Sequence, residues 1–311
     1  MAEARPWGAA DPQHGLIRRA IASGARLLRA AAAPTRPSQD ATLPPPAAAE
    51  PASPAPPRPG TAELRRAWTD RLWGEGLPLP GGAAEVVRLA TLLPLGPSHT
   101  LLLAGLGARM AGEAVAGARG CFVAAHDLLP GPEAPARGGA RRRVTSAAFA
   151  AAAPGFRSGY HHHAMLLEPF REGGCPAALL GATAAAMRQG GELVLLDLVS
   201  RDGAAAGPAR RWLAAEGRHG PPAETAVPDA LAAAGFVVNV VEDAAPRHRR
   251  AVMEGWAAVL DVLRAEATRP APAEAAALVA EAEAWLLRLH LLNEGRLRLL
   301  RWHATLARRA G

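Results

Sequence analysis

Hydrophobic positions along the chain fall into short apolar runs, separated by longer segments in which they recur every three or four residues. Short continuous runs are typical of strands buried on both faces, and the three-to-four spacing is typical of the helices that cover them. The predicted strands are Thr100–Ala104, Gly120–Ala125, a short one opening at Val144, Tyr160–Leu167, Glu192–Val199 and Gly235–Glu242, with an alternating closing run at Gly295–Ala304.

Helical patterns lie between these strands and before the first of them. They cover Ala62–Trp73, Ala83–Leu93, a run from about Ala108, Ala177–Arg188, Pro228–Ala234, and roughly residues 247–267 and 272–293. Strands that alternate with helices predict an α/β fold, a three-layer sandwich with helices on both faces of a mainly parallel sheet. We expect this domain to occupy residues 61–311.

The first predicted strand runs directly into a turn that contains Gly105 and Gly107, and a helical pattern follows. Strand, glycine turn and helix form the start of many nucleotide sites, because glycine lets a ligand approach the backbone closely. The second strand ends in Asp127, where a carboxylate can accept hydrogen bonds from ribose hydroxyls. Gly-x-Gly is a weak signal in a glycine-rich chain, so its context carries this prediction.

Charge adds little to the picture. All 35 basic residues are arginine and the net charge is +7, in a chain rich in Ala, Gly and Pro, which indicates a genomic base bias. The cluster Arg141–Arg143 is a candidate for phosphate or nucleic acid, but no aromatic residues are interleaved with it, so a solvated loop is favoured. No nucleic-acid partner is expected.

The first 60 residues have a different character. Residues 33–60 are rich in Pro and Ala and predict a disordered linker, because proline removes hydrogen-bond donors and blocks helices. Before it, Gly15–Ala32 has the pattern of a short basic amphipathic helix. Such a helix can make weak contact with a membrane surface or a partner; a partly helical tail with no fixed partner is the alternative.

Two cysteines, Cys121 and Cys175, are too few for a disulfide framework. No apolar run approaches the roughly 20 residues that span a bilayer, and the first residues lack the apolar core of a secretory signal. We therefore expect a cytoplasmic protein with reduced thiols. The helices after Glu242 are apolar on several sides, which favours packing in the core or in a homodimer, with a substrate lid as the alternative.

Four segments together resemble the class I S-adenosylmethionine-dependent methyltransferases, in particular those that act on small molecules. They are Leu72-Trp-Gly-Glu-Gly-Leu-Pro-Leu-Pro-Gly-Gly82, Leu101–Arg109 with Asp127, Met187-Arg-Gln-Gly-Gly-Glu-Leu-Val-Leu-Leu-Asp197, and Ala234-Gly-Phe236 with the closing strand. The resemblance covers about residues 62–308. It implies a Rossmann-like sheet of seven strands, with the last strand antiparallel and inserted between the two that precede it.

The same resemblance implies a cofactor and a set of residues to hold it. S-adenosylmethionine would lie against Gly105 and Gly107, with its ribose on Asp127 and with Trp73 and Glu75 in the segment that covers it. The methyl acceptor would be a small molecule.

Some positions depart from the family pattern. Leu103 stands where the family has an acid that holds the amino-acid part of the cofactor, and Arg109 replaces the third glycine. A leucine there removes a charge-assisted contact of about 1.5–3 kcal/mol. The acid expected after the third strand is also missing from Val144–Phe149.

Tyr160-His161-His162-His163 stands where the family's fourth strand has an aromatic residue and then an acid. Alternate residues of a strand face opposite sides, so His161 and His163 share a face. Two roles are open for these histidines: a structural role, or that of a general base in the substrate pocket. No Cys or carboxylate cluster is tied to them by spacing, so no metal is expected. Tyr160, His161 and His163 are thus the catalytic candidates.

Three functions compete on this basis. The first is methyl transfer from S-adenosylmethionine to a small molecule, in an enzyme that the departures would weaken. The second is a non-catalytic scaffold with the same fold that acts through protein contacts. The third, a dinucleotide-dependent oxidoreductase, is disfavoured because Met110 stands where its fingerprint needs glycine.

Overall fold

The structure is a computed structural model that describes residues 60–128, 143–201, 208–266 and 269–308. The predicted tail, with its short helix, lies outside these ranges apart from Gly60, and so do Arg141 and Arg142 of the basic cluster.

The described residues form seven strands and eight helices, and the predicted closing strand and helix positions hold to within a few residues. The strands are β1 (Thr100–Gly105), β2 (Phe122–Asp127), β3 (Val144–Ala148), β4 (His163–Leu167), β5 (Glu192–Ser200), β6 (Phe236–Asp243) and β7 (Leu297–Leu306). The helices are α1 (Thr61–Trp73), α2 (Gly82–Ala90), α3 (Ala108–Arg119), α4 (Pro176–Ala186), α5 (Pro208–Glu216), α6 (Ala226–Ala233), α7 (Ala245–Ala265) and α8 (Pro272–Asn293).

The strands make one sheet in the order β3-β2-β1-β4-β5-β7-β6. The first five strands of this order run parallel, whereas β7 is antiparallel to both of its neighbours. The predicted Rossmann-like sheet with an inserted antiparallel last strand is confirmed. Nearly all of β5 is buried, as expected for a strand covered on both faces.

Each face of the sheet has its own apolar core. Side chains of α1, α2, α3, α5, α7 and α8 pack on the face that presents Leu103, Met165 and Leu196. Side chains of α4 and α6 pack on the face that presents Leu102 and Leu195. The three-layer sandwich is therefore unequal, with most described helices on one side.

Two elements differ from the sequence-based prediction. β4 begins at His163 and not at Tyr160, because the only pairing over residues 160–162 is an isolated bridge of His161 with Met187. Helix α5 was not predicted, since Arg210, Arg211 and Glu216 make its segment read as polar. Its Trp212 is fully buried against the other helices, and this packing explains the helix.

Among the residues described, no helix is both long enough and apolar enough to cross a membrane. Cys121 and Cys175 are both free thiols, the first buried and the second exposed.

Candidate functional site

The carboxyl ends of three neighbouring strands meet at one edge of the sheet. Gly105 of β1 is paired with Asp127 of β2 on one side and with Leu167 of β4 on the other. The amide of Leu106 donates to the Leu167 carbonyl oxygen at 2.8 Å, which ties the glycine turn to the end of β4. Ligands of open α/β sheets bind outside this edge.

Both glycines of the turn are required by their surroundings. A Cβ on Gly105, whose φ is +118°, would lie 2.1 Å from the Leu167 carbonyl oxygen. A Cβ on Gly107, whose φ is +64°, would lie 2.7 Å from Pro78 Cδ and 2.8 Å from the Gly76 carbonyl oxygen. Residues with a side chain fit neither the backbone conformation nor the space. The segment from Gly76 to Pro78 therefore lies directly against the turn.

Asp127 is buried at the end of β2 and faces the start of α3. Its Oδ2 accepts a hydrogen bond of 3.1 Å from the backbone amide of Arg109, in the first turn of that helix. A carboxylate is favourable there because the first amides of a helix lack partners and the helix dipole is positive at this end. The glycine turn, the helix start and the acid are thus brought together as predicted.

A cavity of about 390 Å³ opens at this edge. Its volume lies within the usual range for small-molecule sites. One wall is the glycine turn with the start of α3, and the opposite walls are α1 and α8. The lining residues are Ala62, Arg65, Arg66, Thr69, Asp70, Gly76, Pro78, Leu106, Gly107, Arg109, Met110, Asp127, Arg171, Glu216, Glu281, Ala284, Trp285 and Arg288.

Trp73 and Glu75, predicted from the resemblance to contact the cofactor, are not among the lining residues. Trp73 is buried one layer back, where its ring meets that of Trp285 edge-on at a centroid distance of 5.3 Å. Glu75 is exposed. The segment that carries them contributes Gly76 and Pro78 to the cavity instead, so it approaches the site through its backbone and a proline ring.

Charged side chains close one end of the cavity. Arg288 of α8 donates from Nη1 to Oε1 of Glu168 at 2.8 Å, and from Nε to Oε1 of Glu216 at 2.6 Å. Arg218 Nη1 bonds Glu168 Oε2 at 3.0 Å, and Arg171 Nη1 bonds Glu216 Oε2 at 3.2 Å. These five residues tie the end of β4 to α5 and α8 through buried, doubly engaged carboxylates.

Burial and charge act in opposite directions on these carboxylates. Burial alone raises the pKa of Glu216, but Arg288 and the neighbouring arginines reverse this and hold it at about 2. The same balance brings the pKa of Glu168 well below its usual range. Asp197 of β5 is equally buried and its nearest arginine, Arg218, is 3.8 Å away, so burial prevails and raises its pKa to about 7.

The structure does not bring Tyr160, His161 or His163 to the cavity. His163 is paired with Leu101 at the start of β1, four residues before Gly105. At about 3.3 Å per residue, His163 lies ~13 Å from the glycine turn, at the amino edge of the sheet, and Tyr160 and His161 precede it in the chain. These catalytic candidates therefore lie away from the cavity, because β4 reaches the cavity with its carboxyl end, at Leu167.

The histidines at the amino edge have the environment of structural residues. The pKa of His161 and that of His163 are each lowered to about 4, mainly by burial. Both ring nitrogens of His161 are buried without a hydrogen-bond partner among the described residues, whereas His163 Nδ1 accepts a hydrogen bond from the Glu192 amide at 3.2 Å. Within the described ranges, no group of three or more His, Cys, Asp or Glu residues is arranged to hold a metal ion.

Several cavity residues were missed from the sequence, although two signals were present. Glu168 follows an apolar strand directly, which is the placement that identified Asp127. Glu281, Trp285 and Arg288 stand at spacings of four and three in the predicted last helix and therefore share a face. The part played by α1 and by Glu216 depends on tertiary packing that no local pattern reports.

No protein-family model matches the sequence, and no curated protein matches it. Solved structures do share the fold. Phosphoethanolamine N-methyltransferase 2 of Haemonchus contortus, in complex with S-adenosyl-L-methionine, is 14% identical with a TM-score of 0.65, over 80% of this chain and 58% of that one. Geranyl diphosphate C-methyltransferase of Streptomyces coelicolor A3(2), in complex with Mg²⁺, geranyl diphosphate and S-adenosyl-L-homocysteine, is 14% identical with a TM-score of 0.53, over 72% and 79%.

The [4+2]-cyclase SpnF also shares the fold, at 16% identity and a TM-score of 0.50, over 72% of this chain and 80% of that one. At such identities the likeness establishes the fold and nothing further. The fold of class I S-adenosylmethionine-dependent methyltransferases is thereby confirmed for this chain, and a neighbour with another activity shows that function must be argued from the site.

Proposed function

We propose that this protein is a class I methyltransferase that transfers the methyl group of S-adenosylmethionine to a small molecule. The observation that carries the proposal is the single cavity wall in which the glycine turn, the start of α3 and Asp127 lie together. Gly105 and Gly107 allow the tight turn that joins β1 to α3, and Leu106 and Gly107 of this turn line the cavity, where a backbone cradle for an adenosyl group would lie. That methyltransferases of this fold have been solved with the same cofactor supports it.

When bound, S-adenosylmethionine supplies a methyl group on a positively charged sulfur. The remaining task of the protein is to align an acceptor and to exclude water. Asp127 would hold the ribose hydroxyls, and the Gly105–Gly107 turn would lie against the cofactor. The face of α1 that carries Arg65 and Thr69, together with Glu281 and Trp285 of α8, would surround the acceptor.

The lining favours a polar acceptor over a purely apolar one. Five arginines and four carboxylates line the cavity, beside a few apolar side chains such as Met110 and Trp285. None of the lining residues in the described chain is a histidine. A proton that leaves the acceptor would therefore pass to a carboxylate or to water, and not to His161 or His163.

A non-catalytic scaffold is the second candidate, and two residues favour it. Leu103 is fully buried in the apolar core where a cofactor-binding acid was expected, and Arg109, which replaces the third glycine, lines the cavity. The sequence also predicts a homodimer, weak membrane-surface contact by the N-terminal helix and a cytoplasmic location, and these stay predictions.

Isothermal calorimetry with S-adenosylmethionine and S-adenosylhomocysteine separates the two candidates. The methyltransferase proposal expects saturable binding that is weakened by changes at Asp127. If the wild-type protein binds neither ligand at millimolar concentration, the scaffold is the correct reading and the methyltransferase proposal fails.

A further inference from the structure

The four carboxylates that line the cavity differ in what already occupies them. Glu216 is held by Arg288 and Arg171. Glu281 accepts both Nε and Nη2 of Arg65, at 3.0 and 2.8 Å, and the Trp285 indole at 2.9 Å. These two negative charges are therefore balanced within the protein.

Asp70 is different. Its Oδ1 accepts the backbone amide of Gly76 at 2.8 Å, and no Arg or His of the described residues lies within ion-pair distance of it. It is half-buried in the last turn of α1. The helix dipole is negative at this end, so the position disfavours an unpaired carboxylate and favours a nearby cation.

The hydrogen bond of Asp70 also fixes its place relative to the glycine turn. The bond holds Gly76 in place beside Gly107. The Gly76 carbonyl oxygen lies 2.8 Å from the position that a Cβ on Gly107 would occupy. The carboxylate is thus anchored by one oxygen to the segment that contacts the proposed cofactor site. Asp70 itself lines the same cavity.

The cofactor proposed above carries two cationic groups, an ammonium on its amino-acid part and the sulfonium. The first strand offers no carboxylate to the ammonium, because Leu103 stands at that position and is buried in the apolar core. We infer that Asp70 of α1 binds the ammonium group of the cofactor, so that the charge absent from the strand is supplied by a helix that precedes it. This inference rests on the proposed function and adds a binding residue to it.

The test uses Asp70→Asn, because asparagine keeps an oxygen acceptor for the Gly76 amide and removes only the charge. Its affinities for S-adenosylmethionine, S-adenosylhomocysteine and 5′-methylthioadenosine are measured by calorimetry. The first two ligands carry the ammonium and the third has neither ammonium nor sulfonium. We expect roughly 10- to 100-fold weaker binding of the first two and unchanged binding of the third. Glu63→Gln, the same charge change at an exposed position of α1, is the matched control and should leave all three affinities unchanged.

A second measurement does not depend on the variant folding. Wild-type protein should bind S-adenosylhomocysteine more tightly than its analogue with hydrogen in place of the amine, and Asp70→Asn should bind the two alike. A wild-type protein that does not distinguish them overturns the inference.

The remaining outcomes are equally decisive. Equal weakening of all three ligands in Asp70→Asn assigns Asp70 only a role in shaping the segment, and weakening of S-adenosylmethionine alone places it at the sulfonium; either result overturns the inference while the proposed function stands. Unchanged affinity of Asp70→Asn for all three ligands also overturns the inference and leaves the proposed function standing. Wild-type protein that binds none of them removes the proposed function itself.

Discussion

The backbone amide of Arg109 donates to Oδ2 of Asp127 at 3.1 Å, so one carboxylate both completes the first turn of α3 and stands at the cavity. Asp127→Ala should therefore act in two ways. Binding of S-adenosylhomocysteine should weaken by about 1–3 kcal/mol, through unpaired ribose hydroxyls. The free energy of unfolding should fall by about 1 kcal/mol, through loss of the helix-terminal hydrogen bond.

Calorimetry and urea unfolding measure these two effects separately. Asp127→Asn retains an acceptor oxygen and should recover most of the stability but less of the affinity. An Asp127→Ala protein with wild-type affinity would show that the ligand lies elsewhere in the cavity.

Gly107→Ala should abolish detectable ligand binding and destabilise the protein. The alanine Cβ would clash with Pro78 and with the Gly76 carbonyl oxygen, at a φ that costs roughly 1 kcal/mol or more for a residue with a side chain. Gly117→Ala is the matched control within α3, because a Cβ there meets nothing within 4 Å. This control should keep its affinity and gain up to about 1 kcal/mol. Similar unfolding curves for the two variants would contradict the packing described at the turn.

Arg288→Met should lower the free energy of unfolding by about 3–5 kcal/mol, because Glu168 and Glu216 would each lose a buried arginine partner. Urea denaturation followed by circular dichroism measures the change. Arg211→Met removes an arginine whose side chain is 71% exposed and paired with Glu283, and it should change stability little. A small effect at Arg288 would mean that the carboxylates find other partners or take up protons.

The buried histidines should lower the free energy of unfolding as the pH drops from 6.5 to 4. The folded protein lowers the pKa of His161 and His163 to about 4, so in this window these two side chains bind protons in the unfolded chain and not in the folded one. Asp197, whose pKa burial raises to about 7, acts in the opposite direction. His161→Phe should flatten this dependence by on the order of 2 kcal/mol between pH 7 and pH 4.5, because burial lowers the pKa of His161 to about 4. Urea unfolding of both proteins at pH 7 and pH 4.5 gives the comparison, and parallel pH profiles would exclude His161 as a contributor.

The sequence predicted best what is written locally. The last helix was placed at residues 272–293 and α8 spans Pro272–Asn293, because Pro272 suits a first helical turn and a long helical period follows. Gly105 and Asp127 were brought together correctly, since they end strands that proved to be neighbours in register.

Contacts between residues far apart in the sequence could not be predicted. Arg288 meets Glu168 across 120 positions and Glu216 across 72, and no spacing rule connects such residues. The histidines were misplaced for a different reason: the prediction started β4 at Tyr160, and a cluster at the beginning of a strand was assigned to the edge where that strand finishes. The strand itself was predicted, and the error lay in which of its two ends faces the cavity.

The contact between Trp285 and Trp73 has a practical consequence. Trp285 lines the cavity and meets the ring of Trp73, whose indole is buried behind it. A ligand that enters the cavity changes the environment of the Trp285 indole, and the Trp73 indole is in contact with that ring. The protein thus contains its own fluorophore at the site, and a titration of its intrinsic emission, compared with that of Trp285→Phe, reports occupancy without any label or turnover assay.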